Sequence, residues 1–118
     1  MTDDQCIRNV ALDYIEGWYT ADGSRMDRAL SPHLAKRRIV SQNEIWHVDK
    51  PWMVQATDDG KGRIEDPIKG KKEITILDHT ATMASVKIVS EKFIDLLHFA
   101  KCGETWSIVN ALWDYREE

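Results

Sequence analysis

The first chemical signal in this sequence is a lone carboxylate in an apolar strand. Asp95 alternates with Phe93, Leu97 and Phe99, and alternate residues of a strand share a face. A buried carboxylate is costly without partners. Burial raises its pKa and makes it a candidate acid or base; a carboxylate bonded to a helix N-terminus or a tyrosine is the structural alternative. Asn110 falls on the same face by strand parity and offers a donor and an acceptor to a ligand, to the backbone or to Asp95. Tyr14 and Trp18 lie one helical turn apart; such a pair serves a core or a pocket wall. Lys36-Arg37-Arg38 is the one dense basic run. Alternation puts Lys36 and Arg38 on one face and Arg37 on the other. Arg38 is the residue chosen as a guanidinium reaching a pocket, where it would select anions. His98 stands three residues from Asp95, on the opposite strand face, so the two form no direct dyad.

Other chemistries find no support. His33, His47 and His79 have no ligand-type spacing, and Cys6 and Cys102 form no CxxC pair, so neither a metal nor a cofactor is expected. Free thiols are the expected state of both cysteines. Gly60-Lys61-Gly62 and Gly70-Lys71-Lys72 lack the spacing and the strand-to-helix setting of a phosphate loop. Asp58-Asp59-Gly60 does not continue as a calcium loop. The chain has 118 residues and a net charge of −4 from 16 basic and 20 acidic residues. That length suits a single domain over residues 1–118. The acidic balance disfavours nucleic acid as a partner. No apolar run approaches the roughly 20 residues needed to span a bilayer. The acidic start MTDDQ lacks the basic and then apolar pattern of a signal peptide. The expectation is a cytoplasmic protein with no membrane partner.

These residues need elements to hold them. Thr2 and Gln5 fit a capping box, with Asp3 and Asp4 in the first turn. Ile7, Val10, Ala11, Tyr14, Ile15 and Trp18 then recur at helical spacing. Gly17 interrupts this helix and allows another element to approach closely. A short helix carrying Met26, Ala29 and Leu30 follows, stopped by Ser31-Pro32, which could start one more helical turn. Ala35–Ser41 and Glu44–Val48 read as strands. Asp49 and Pro51 start a helix that ends at Asp58-Asp59-Gly60. Residues from Gly60 to Lys72 read as a loop. Ile74–Leu77, Thr82–Val89, Phe93–Lys101 and Thr105–Tyr115 are strands joined by short polar turns, an antiparallel meander. Helices first and strands last give an α+β fold with the helices on one sheet face.

Parity across two-residue turns then assigns faces. Ala84, Val86, Ile88, Phe93, Asp95, Leu97, Phe99, Trp106, Ile108, Asn110 and Leu112 fall beneath the helices. Leu96, His98, Val109, Trp113 and Tyr115 fall on the opposite face. That second face is too apolar for solvent, which suggests a homodimer interface. A single bulge would swap the assignments beyond it.

Three segments carry a resemblance: Tyr14-x-x-Gly17-Trp18-Tyr19-x-x-Asp22, Phe93-Ile94-Asp95-Leu96-Leu97-His98-Phe99, and Trp106-Ser107-Ile108-Val109-Asn110-x-Leu112-Trp113. Their order and spacing resemble the lumazine-binding-like group of the nuclear transport factor 2-like superfamily. The resemblance implies a cone: a bent antiparallel sheet around a long first helix and two shorter ones, with a pocket at the open end and dimers formed through the outer sheet face. It does not settle function, because this superfamily holds enzymes and binding modules alike. The favoured reading is a module binding a small hydrophobic or anionic ligand between Tyr14, Trp18, Trp46, Asp95 and Asn110. The alternative resembles ketosteroid isomerases or dehydratases, with Tyr14 and Asp95 as an oxyanion hole; such an enzyme would be an isomerase or lyase on a small hydrophobic carbonyl compound. The carboxylate base that this chemistry needs on the first strand is missing, since Lys36, Arg37 and Arg38 occupy that region. A structural dimerisation domain with a filled pocket is the third reading.

Overall fold

A computed structural model describes residues 1–117. Helix α1 spans Asp3–Thr20. Thr2 Oγ1 accepts from the Gln5 N–H at 3.2 Å, and Gln5 Oε1 accepts from the Thr2 N–H at 2.9 Å. The capping box therefore satisfies two donors that a helix start leaves open. Ile7, Ala11, Tyr14 and Ile15 form the buried stripe. The helix ends at Ala21 with φ +56°, a left-handed conformation that costs a non-glycine residue roughly 1–2 kcal/mol. Helix α2, Gly23–Ala29, folds back beside it. A Cβ at Gly17 would lie 3.1 Å from the Met26 nitrogen and 3.2 Å from Arg25 Cβ. Glycine at position 17 thus sets how closely the two helices approach.

Strand β1 spans Leu30–Ser41 and strand β2 Glu44–Val48. Helix α3, Lys50–Asp58, starts at the Asp49 cap with Pro51 in its first turn. Strands β3 (Lys72–His79), β4 (Met83–Ser90), β5 (Phe93–Cys102) and β6 (Thr105–Tyr115) complete one six-stranded sheet in the order β2-β1-β6-β5-β4-β3. The last four strands form the expected meander, and β1 joins β6 in parallel. No helical turn forms at Ser31-Pro32, because β1 already begins at Leu30. Pro32 lies where the β1–β6 pairing jumps from Leu30↔Ile108 to Ala35↔Asn110. Its missing N–H is tolerated where the ladder is interrupted.

The helices cover one sheet face. Ile7, Met26, Val86, Ile88, Leu97, Phe99 and Ile108 lie between, each at most 1% exposed. Burying each such side chain contributes about 1.5–3 kcal/mol. No helix among the described residues is long and apolar enough to cross a membrane. Cys6 and Cys102 are free thiols.

One irregularity corrects the face assignment. In the β5–β6 pairing Phe99 faces Ile108 but His98 faces Asn110, so Val109 is an extra residue on β6. Side chains beyond such a bulge exchange faces. Ala84, Val86, Ile88, Leu97, Phe99, Trp106 and Ile108 are buried as expected. After the bulge Ala111 is buried and Leu112 is 47% exposed, the reverse of the parity reading. Asn110 therefore lies on the outer face with its amide 3.3 Å from His98 Nδ1. Trp113 and Tyr115 turn to the helix side instead of the outer face. Leu96 and His98 keep their outer placement.

Candidate functional site

Three ionisable side chains meet beneath the helices. Tyr14 comes from the buried stripe of α1, Asp95 from the inner face of β5 and Lys36 from the inner face of β1. Strand β6 separates β1 from β5. Ala111 of β6 pairs with Lys36 on one side and Leu97 on the other. The small alanine leaves the lysine room over the sheet. Lys36 Nζ donates to the Tyr14 hydroxyl at 2.6 Å, and that hydroxyl donates to Asp95 Oδ1 at 3.0 Å. The ammonium lies 5.1 Å from the centroid of the Tyr14 ring and 5.6 Å from that of Trp113, within reach of a cation–π interaction. Tyr14 and Asp95 are each 4% exposed and Lys36 is 9% exposed.

Burial governs the protonation of all three. It raises Asp95 above the ordinary carboxylate range, against the charge of Lys36 and the hydrogen bond from Tyr14. It lowers Lys36 below the ordinary amine value, against the charge of Asp95. It holds the Tyr14 phenol well above its usual value, helped by the adjacent carboxylate. Tyr14 thus stays protonated as a neutral bridge between the amine and the carboxyl.

The three polar groups line a cavity of about 190 Å³, larger than the ~150 Å³ dry cavity that accommodates benzene. Trp18, Trp46, Trp52, Phe93, Trp113 and Tyr115 supply its aromatic wall. The rings contact one another edge-on: Trp46 with Trp52 at 5.2 Å, Trp46 with Trp113 at 5.9 Å and Phe93 with Trp113 at 5.2 Å. Such edge-to-face contacts suit the aromatic quadrupole. Among the described residues, Trp113 Nε1 is a buried donor without a partner. The segment after α3 closes one side. A Cβ on Gly62 would fall 2.1 Å from the Trp18 indole, so only glycine lets this segment lie on that ring. Tyr19 ties the far end of the segment, donating to the Lys71 carbonyl at 2.6 Å and accepting from the Glu91 N–H at 2.9 Å.

A family model described as "Putative lumazine-binding" matches residues 2–114. The chain belongs to this family. The lumazine-binding family chain has the NTF2-like fold of several solved structures. An NTF2-like protein of unknown function from Shewanella baltica OS155 has a TM-score of 0.76 at 19% identity, covering 100% of this chain and 99% of that one. One from Methylobacillus flagellatus KT has a TM-score of 0.78 at 19% identity, covering 99% and 96%. A ketosteroid isomerase-like protein from Erwinia carotovora atroseptica has a TM-score of 0.71 at 10% identity, covering 100% of both chains. No curated protein matches.

Of the residues singled out from sequence, this lumazine-binding family chain places Tyr14, Trp18, Trp46 and Asp95 around one cavity. Arg38 does not line it: its guanidinium bonds Asp114 at 3.1 Å and stacks over Tyr115 at 4.7 Å. Asn110 is outside, for the reason given above. Lys36 occupies the cationic position that sequence reasoning gave to Arg38. The signal is in the sequence: Leu30 and Leu34 share its strand face, and a strand begun at Ala35 leaves them out. The bulge hides Trp113 and Tyr115. Trp52 falls within the helix expected after Asp49 and Pro51. Among the described residues, no group of three or more His, Cys, Asp or Glu side chains is placed to hold a metal ion.

Proposed function

We propose that this protein is a binding module for a small, flat, apolar molecule that carries a carbonyl or carboxylate oxygen. The ring would lie among the indoles, and the oxygen would accept from Lys36 Nζ. The observation that carries this reading is the Lys36–Tyr14–Asp95 chain at the wall of an aromatic cavity of about 190 Å³. Concave sites with apolar walls and a few convergent polar groups are the usual form of ligand pockets. An ammonium uses one N–H on Tyr14 and keeps others for a ligand. The same bonds count against an isomerase. Tyr14 already donates to Asp95, so its O–H is not free for a substrate oxygen. Among the described residues, Asp95 is the one carboxylate lining the cavity, and no second acid lies there to abstract a proton. An unfilled cavity counts against a solidly packed structural domain.

The test is a titration with 2-naphthoate, followed through the indole N–H signals in a 15N–1H spectrum. We expect saturable shifts for Trp18, Trp46, Trp52 and Trp113. Trp106 is the internal control, because it is 2% exposed, lies outside the cavity and donates to Asp3 Oδ1 at 3.4 Å. Uniform shifts or none would defeat the reading.

We further propose that the outer sheet face pairs two copies of the chain. Ile39, Leu96 and Leu112 share a shallow groove there and are 58%, 49% and 47% exposed. Large side chains exposed together in this way mark an interaction surface. Native mass spectrometry should give a dimer for the parent protein and a monomer for Leu96→Asp; a monomeric parent would refute the pairing.

A further inference from the structure

We propose that Lys36 captures aldehydes or ketones as an imine, which makes the cavity a site for carbonyl compounds. This deepens the ligand-binding reading above and rests on it. Lys36 is the one lysine of the chain that is buried. It also differs from five of the exposed or half-buried lysines in its partner. Lys50, Lys69, Lys71, Lys72 and Lys101 each lie within 4.0 Å of a carboxylate oxygen. Lys36 instead has a phenol oxygen at 2.6 Å and two aromatic rings near its nitrogen. A direct ion pair would lock a lysine in its charged, non-nucleophilic form. A neutral hydroxyl and π faces do so far less, and burial moves the amine further toward its free base. Desolvated lysines in apolar pockets are the ones that act as nucleophiles.

The neighbours supply the proton steps. The Lys36 ammonium loses a proton through the Tyr14 hydroxyl, which passes its own proton to Asp95 Oδ1 at 3.0 Å. The free amine attacks the carbonyl carbon. A C–N bond forms, and the π electron pair moves to oxygen. That oxygen takes up a proton and the nitrogen gives one up, leaving a neutral carbinolamine. The proton held by Asp95 then returns through Tyr14 to the hydroxyl. The C–O bond breaks, water leaves, and the nitrogen lone pair forms the C=N bond. One carbonyl and one lysine ammonium give one protonated imine and one water, the Asp95 carboxylate is regenerated, and no oxidation state changes. Burial of Asp95 fits this role, since it favours the protonated carboxyl needed between the two transfers. The other ionisable side chains lining the cavity are Lys61, whose Nζ lies 5.8 Å from the Trp52 ring centroid, and Tyr115, which stacks under Arg38. Neither contacts the Lys36 nitrogen in the structure.

The experiment treats the intact protein with 2-naphthaldehyde and sodium cyanoborohydride, then maps the label by peptide mass. Reduction fixes an imine as a secondary amine and adds the mass of the aldehyde less one oxygen. We expect Lys36 to be labelled at least ~10-fold faster than any exposed lysine. 2-Naphthalenemethanol, which lacks the carbonyl, should protect it. Lys36→Arg should lose the fast label with the Trp106 indole signal unmoved, which reports that the fold is kept. The wild-type map decides the matter even if that variant fails to fold. Labelling that follows surface exposure, with Lys36 slow, would overturn the imine. If 2-naphthalenemethanol still shifts the four cavity indoles in that case, the imine alone falls and the binding reading stands. If neither it nor 2-naphthoate shifts them, both fall.

Discussion

Lys36→Met and Asp95→Asn will each destabilise the protein by about 3–5 kcal/mol, because each leaves one buried charge or its remnant without a counterpart. The combined variant Tyr14→Phe/Lys36→Met/Asp95→Leu will lose far less than either single change. The reason lies in desolvation. Removing an ammonium and a carboxylate from water costs several kcal/mol each, and here a phenol oxygen stands between them, so their attraction does not act at contact distance. The protonation shifts carry the same message. Asp95 binds its proton more tightly in the folded state than in the unfolded one. Between the ordinary carboxylate value and the raised one, stability therefore falls as pH rises. Lys36 binds its proton less tightly when folded. Between its lowered value and the ordinary amine value, stability rises with pH. Measured against the triple variant, the wild type should show a trough of stability at intermediate pH, recovering toward acid and toward the ordinary amine value, until the raised Tyr14 phenol reverses the alkaline gain above about pH 10. Against the cost of burial, Arg28 and Arg25 hold the Asp13 carboxyl low, and Arg25 and Lys72 hold that of Glu16 low, but both proteins keep them, so their acid sensitivity cancels. Urea unfolding of the four proteins across pH makes the measurement. A triple variant as unstable as the singles at neutral pH would mean that the cluster is a net source of stability.

That cost bears on what the sequence can reveal. The capping box, the helix stripe and the β5 alternation are local patterns, and each element formed where its pattern lay. Asp95 was legible for the same reason: a charge among Phe93, Leu97 and Phe99 conflicts with its own strand. Conflicts of this kind mark functional or strained sites. Lys36 was harder to see because a basic residue in the run Lys36-Arg37-Arg38 looks like solvated charge. Its burial depends on Leu30 and Leu34 belonging to the same strand. That in turn depends on parallel pairing with β6, the last strand of the chain. The bulge at Val109 left no local trace at all. Neither Ser107-Ile108-Val109-Asn110 nor its partner Leu97-His98-Phe99 contains a glycine or proline to announce it. One unpaired residue then moved Trp113 and Tyr115 to the helix side and took Asn110 away from it. Local chemistry named Tyr14 and Asp95, two of the three members of the cluster, and long-range pairing decided the third.

The same charges should govern which ligands bind, and here the two single variants will move in opposite directions. Wild-type protein should prefer 2-naphthoate to 2-naphthalenemethanol only modestly, because Asp95 offsets part of the charge on Lys36. Lys36→Met removes the donor and leaves the carboxyl, so 2-naphthoate affinity should fall about 10- to 100-fold, the range of a charged hydrogen bond worth about 1.5–3 kcal/mol. Asp95→Asn removes the offsetting anion and leaves the ammonium, so 2-naphthoate should bind tighter, by about 10-fold for each 1.4 kcal/mol of repulsion relieved. The alcohol should change little in either variant. Calorimetric titration of both ligands against the three proteins gives the four ratios, and the Trp106 indole signal reports whether each variant has kept its fold. Opposite signs are the decisive feature, because general damage to the cavity would weaken 2-naphthoate in both variants. A parallel loss in both would mean that Lys36 and Asp95 support the pocket wall without reading the ligand's charge. If the signs do oppose, the pair acts as a charge balance within an apolar room. Tyr14 then serves as the neutral link that keeps the two charges apart and leaves the ammonium available to the ligand.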